Sequence, residues 1–160
     1  MILRIIVRLA QASVPDNMAP YPNIYLIIAS ACSAAAAALH VGCMVFGAPW
    51  YRFFGAGEQM ARLAESGSTY PTRITAVIAT MLLVWSAYAL SGAGVIPRLP
   101  FLRPVLCLIA SAYLLRGFLF FPLISRFPEN SFAFWMWSGG ICAAFGLMHA
   151  VGIKQAWPHL

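Results

Sequence analysis

The sequence predicts an all-α integral membrane protein, an antiparallel up-down-up-down four-transmembrane-helix bundle, and three observations predict it. Of 160 residues, 62% are hydrophobic and only 9% charged, a composition foreign to water-soluble domains. The apolar residues fall into four runs, each long enough to cross a hydrocarbon core of roughly 30 Å at 1.5 Å per residue. Between the runs lie connections marked by Gly, Pro, aromatic residues and single arginines, which are the expected punctuation at membrane boundaries.

Taken in order, residues 1–22 form an N-terminal segment in which Arg4, Arg8 and Gln11 share one helical face. That pattern suits a helix lying in the interface. Met18 offers a second start directly before the first span, so Met1 and Met18 both remain open as the beginning of the chain. The transmembrane domain covers 23–153, with spans at about 23–46, 72–90, 101–123 and 131–153, and 154–160 are a tail. In the first span Ser30, Ala34, Ala38 and Gly42 repeat every fourth residue, and Ala29, Ser33 and Ala37 lie beside them. Small-residue ridges of this kind let a neighbouring helix approach closely, which places this span centrally.

The longest connection follows, from Gly47 to Pro71. It carries Trp50, Tyr51, Phe53 and Phe54 as interfacial aromatics, and Glu58–Glu65 is expected to form two turns of surface helix. Two of the four acids of the chain lie here. The 91–100 turn carries Arg98, and Arg103 follows it. The last span opens with Phe132, Phe134, Trp135 and Trp137 and continues with Gly139, Gly140, Ala143, Ala144 and Gly146.

The net charge of +6 comes from ten Lys and Arg dispersed singly against four acids. With no basic stripe, nucleic acid is not an expected partner. Arg4, Arg8, Arg98, Arg103 and Lys154 on the side of the termini exceed Arg52, Arg62, Arg73 and Arg126 by one, which favours cytoplasmic termini. Starting at Met18 reverses that preference. Cys32, Cys43, Cys107 and Cys142 all lie in apolar runs without a CxxC pair and read as small buried hydrophobes.

One residue breaks the apolar pattern: Arg116, inside SAYLLRGFLFFPL (111–123). An unpaired cation in hydrocarbon costs several kcal/mol, about 3 on the lowest scale, so it is expected to face a partner or a wet cavity. Converting sequence distance into depth puts Arg116 roughly 6 Å, and His40 roughly 8 Å, from the midplane toward the long loop. Ser138 falls in that layer and Thr80 just beneath it. Tyr51, Glu58 and Glu65 lie above. These seven residues are the candidate ligand-binding set, with Arg116 as fixed cation for a hydrophobic or anionic amphipathic molecule and His40 as a titratable neighbour. The plainer use of the same residues is structural: Arg116 snorkels or pairs with Glu58 or Glu65, and His40 bonds across the bundle. His149 falls on the other side of the midplane, so a His40–His149 metal site is excluded. No catalytic residue, metal or cofactor is expected, because Ser, His and acids occur without an elbow motif or an oxyanion-type loop.

The stretches LHVGCMVFGAPWYRFFGAGEQMARLAESGSTYP (39–71), YALSGAGVIPRLPFLRPVL (88–106) and YLLRG (113–117) resemble uncharacterised small four-helix inner-membrane proteins of Gram-negative bacteria. The resemblance covers most of 23–153. It implies a bacterial inner-membrane location and four spans, and it brings no activity. The layout alone is also DoxX-like, an analogy of fold. The expected role is that of a non-enzymatic accessory or binding subunit whose partners are the bilayer and an amphipathic small molecule. A structural protein acting through helix contacts, with a homo-oligomer as its form, and a small oligomeric transporter are the alternatives.

Overall fold

The computed structural model describes residues 22–119, 130 and 132–160. The expected interfacial helix and most of the loop after the third span therefore lie outside the described residues. The described chain is helical, without strands. Its elements are α1 (Ile24–Phe46), α2 (Ala48–Phe53), α3 (Glu58–Glu65), α4 (Tyr70–Gly92), α5 (Leu102–Phe118) and α6 (Phe132–Ala156), then a 3-10 turn, Trp157–His159. Helix α1 lies against α4 and α5 against α6, while α6 also meets α1 and α5 meets α4.

Three helical stretches, Ile24–Phe46, Tyr70–Gly92 and Phe132–His159, are long and apolar enough to cross a membrane. Their outward faces are apolar: Val45 is 71% exposed, Val77 67% and Trp137 75%. Five polar side chains of these helices, Ser30, Ser33, Thr75, Ser86 and His149, are buried. That inside-out distribution exposes far more contiguous apolar surface than water tolerates and matches a lipid surround. The fourth long helix, α5, has 17 residues and stops at Phe118, five short of the expected 123. Leu119 has already left the helical conformation.

The packing is close because small residues sit where helices cross. A Cβ on Gly117 would stand 2.7 Å from the backbone nitrogen of Ala143, and one on Gly146 would stand 2.7 Å from Leu114. Both α5–α6 contacts are thus near backbone-to-backbone approach, which Leu or even Ala would obstruct. In α1 the packed face is Leu26, Ala29, Ser30, Ser33 and Ala37, so the expected Ser30–Ala34–Ala38–Gly42 ridge is turned partly outward, with Ala38 exposed. Ser30 and Ser86 share a hydrogen bond of 2.8 Å between α1 and α4, and Ser33 shares one of 3.0 Å with the Tyr113 hydroxyl of α5. In an apolar surround such bonds contribute about 0.6 kcal/mol each. Trp85 and Phe145 hold Tyr113 edge-on, at 5.0 and 5.6 Å between ring centroids.

Each end of the assembly is tied separately. At one end Asn23 caps α1 by accepting from the Leu26 amide at 3.1 Å, and its Nδ2 donates to Gly152 O and to Gln155. Its own amide donates to Ala93 O. One residue thereby joins α1, α4 and α6. At the other end Gly47 (φ +69) closes α1 and turns the chain into α2, where Pro49 sits in the first turn, the position that needs no N–H donor. Trp50 then folds back over Gly42 and stacks on Phe46 at 4.5 Å.

Candidate functional site

Arg116 lies in the last turn of α5, where free helix carbonyls favour a cation. The close approach of Gly117 to Ala143 brings this turn against α6. There Arg116 Nη2 donates to Ser138 Oγ at 3.2 Å, and the guanidinium carbon stands 5.5 Å from the centroid of the Trp135 ring. Trp135 is 2% exposed. The remaining terminal nitrogen, Nη1, is buried and finds no hydrogen-bond acceptor among the described residues. The cation is therefore fixed by one neutral hydroxyl and one aromatic face, and it keeps an unused donor. Stacking on an indole offsets part of the desolvation of a guanidinium, about 2 kcal/mol when the pair is withdrawn from water, but no carboxylate among the described residues is paired with it.

The other expected members of the layer are engaged elsewhere. His40 is half-buried, and its Nδ1 contacts the Ala36 carbonyl at 2.7 Å, one turn back on its own helix. Thr80 is exposed and donates to Ala76 O at 2.9 Å. Neither is hydrogen-bonded to Arg116. Tyr51 is 3% exposed, and its hydroxyl shares a 3.1 Å hydrogen bond with Thr75, bracing the long connection against α4.

Glu58 and Glu65 converge on Arg52. The Arg52 guanidinium meets both oxygens of Glu58 at 2.9 Å and those of Glu65 at 2.6 and 3.1 Å, and Arg62 adds a 3.2 Å contact to Glu58. Hydrogen bonds from Arg52, then Arg62, hold the Glu58 carboxyl down at about 2. The Arg52 hydrogen bonds also lower Glu65, while the two carboxylates push the Arg52 guanidinium above its ordinary value. This cluster is solvent-exposed, so its contribution to stability is small despite its geometry. The two long-loop carboxylates that could have neutralised Arg116 are held by a nearer arginine.

The residue missed from sequence is Trp135, expected in an interfacial belt and found buried beneath Arg116. Its spacing of three from Ser138 was the available signal, since i and i+3 share a helix face. His149 is a second: it is fully buried, its Nδ1 lies 2.8 Å from Phe145 O, and its Nε2 has no hydrogen-bond partner among the described residues. It packs at 5.4 Å against Tyr113, within the same aromatic group as Phe145.

Comparison with protein-family models, with curated proteins and with solved structures finds no match.

Proposed function

We propose that the chain is a four-span inner-membrane protein, with α5 as the fourth span, that binds a hydrophobic molecule bearing an anionic or carbonyl head. Arg116 is the head-group anchor. One observation carries this reading: a buried guanidinium nitrogen with no acceptor among the described residues, beside a neutral hydroxyl and an indole, after Glu58 and Glu65 of the long connection have paired with Arg52. Leaving such a donor unmade costs about 1 to 3 kcal/mol, and an incoming carboxylate or carbonyl oxygen recovers it. The oxygen would accept from Nη1, while the hydrophobic tail would run along the apolar outer faces of α5 and α6. Nothing in this arrangement requires bond making or breaking, so the role is that of a binding or accessory subunit.

The alternative of a protein that assembles through its small-residue ridges has less support. Gly117 and Gly146 spend their close approaches on Ala143 and Leu114 within one chain, and of the first-span ridge Ser30, Ala34, Ala38 and Gly42 only Ala38 is exposed. Titration of the purified protein with a brominated long-chain fatty acid, followed by quenching of tryptophan fluorescence, tests the binding reading. Saturable quenching that Arg116→Leu abolishes supports it, and identical quenching in both proteins defeats it.

A further inference from the structure

The end of the molecule opposite Arg116 carries a second, unassigned cationic feature. An open groove follows residues 98–104 along the α4–α5 turn and the first residues of α5. Arg98 lines it, exposed and without a hydrogen-bond partner among the described residues. Arg103 lines it too and is held in place: its Nη2 donates to the Trp157 carbonyl at 3.2 Å, and its guanidinium carbon stands 5.4 Å from the Trp157 ring. Between the two arginines Phe101 is 79% exposed and takes a left-handed backbone conformation, φ +53. Bulky residues rarely adopt that conformation. Lys154 is exposed three residues before Trp157.

The charge balance of this end decides what could fill the groove. The acids among the described residues are Glu58 and Glu65, both in the connection at the far end and both paired with Arg52. Arg98, Arg103 and Lys154 therefore form a cationic rim with no acidic side chain among the described residues at their end. The rim lies where α1 and α5 begin and α4 and α6 end, tied together by the bonds of Asn23 and Arg103. That is the boundary level of the three membrane-length helices, and exposed Phe101 and half-exposed Trp157 supply the aromatic surface typical of the headgroup zone.

We infer that the Arg98–Arg103 groove is a binding site for an anionic phospholipid, whose phosphate lies between the two guanidiniums and whose acyl chains pass Phe101. Arg103 is pre-oriented by Trp157, and Arg98 closes on the headgroup from the turn. The site lies about 20 Å along α5 from Arg116, thirteen residues at 1.5 Å each, and does not depend on the ligand proposed there.

Native mass spectrometry of the full chain released from phosphatidylcholine nanodiscs doped with phosphatidylglycerol tests the assignment. The wild-type protein is expected to retain phosphatidylglycerol selectively. Arg98→Gln should weaken that retention about five-fold, and Arg98→Gln with Arg103→Gln about twenty-five-fold, following the usual contribution of a basic residue near an anionic surface. Arg73→Gln, an exposed arginine at the far end of α4, should leave it unchanged. Arg103 has a structural bond and Arg98 has none, so Arg98→Gln carries the test if the double variant fails to fold. Equal retention by Arg98→Gln and wild type overturns the assignment, as does an equal loss of selectivity in Arg73→Gln. Inorganic phosphate stabilising lipid-free protein as much as phosphatidylglycerol would also overturn it, because the acyl chains would then contribute nothing.

Discussion

Arg52 and Arg116 show how differently one side chain can be used within one molecule. Arg52 is exposed and saturated, with two carboxylates gripping its guanidinium. Arg116 is half-buried and, among the described residues, has a serine hydroxyl and an indole face. The well-paired arginine sits where pairing contributes least, because solvent screens it. The poorly paired one sits where pairing would contribute most. A structure that only needed to neutralise its charges would favour the opposite pairing, and in the reading proposed above Arg116 is the cation kept available for a ligand.

The comparison can be broken most severely at the contact that seats Arg116. Gly117→Leu drives a side chain into the Ala143 backbone and should cost about 3 kcal/mol by overpacking. Thermal unfolding in detergent should show it, and an unchanged melting temperature would mean that α5 and α6 are not in backbone contact. Next in size, Arg116→Leu should lower affinity for a long-chain fatty acid by about 2 kcal/mol, the contribution of a charge-assisted hydrogen bond. Its melting temperature should hold or rise, because an unpaired buried cation is removed. A large loss of stability would instead identify Arg116 as a structural residue.

Two smaller effects sharpen the other side of the comparison. Tyr51→Phe removes the bond to Thr75 and should cost about 1 kcal/mol, read by unfolding and by earlier proteolysis in the 47–70 connection. The Arg52 cluster should respond chiefly to acid. The Glu58 pKa is depressed in the folded state, so its contribution is complete above the ordinary value of 4.5 and is lost as pH falls through about 2. Carboxyl titration by NMR should place Glu58 near the lower value in wild type. Arg52→Gln should move it back toward 4.5, with little change in unfolding at neutral pH.

Much of the helical layout was legible because it depends on runs of apolar residues and on stop signals such as Gly47. Depth along a helix was legible too, since rise per residue is nearly constant: Arg116 and Ser138 fall in one layer by counting, and a hydrogen bond joins them. Rotation about each helix axis was not legible. It is fixed by neighbours, which is why His40 and Thr80, at suitable depths, bond to their own helices. The same cause turns the first-span ridge toward Ala29, Ser33 and Ala37. The pairing of Glu58 and Glu65 with Arg52 was not legible for another reason. Arg52 is six residues from Glu58 and thirteen from Glu65, and such short loops close at little entropic cost compared with reaching a different helix.

The most direct test of the central claim is the affinity of one amphipathic anion for two proteins that differ only at position 116. A brominated long-chain fatty acid should quench tryptophan emission of the wild-type protein saturably, with Trp135 beside the head group as the main reporter. Arg116→Leu should bind about thirty-fold more weakly, the factor that corresponds to about 2 kcal/mol. Equal affinity in two equally folded proteins would contradict the account, leaving Arg116 as a helix-end cation with no ligand to hold.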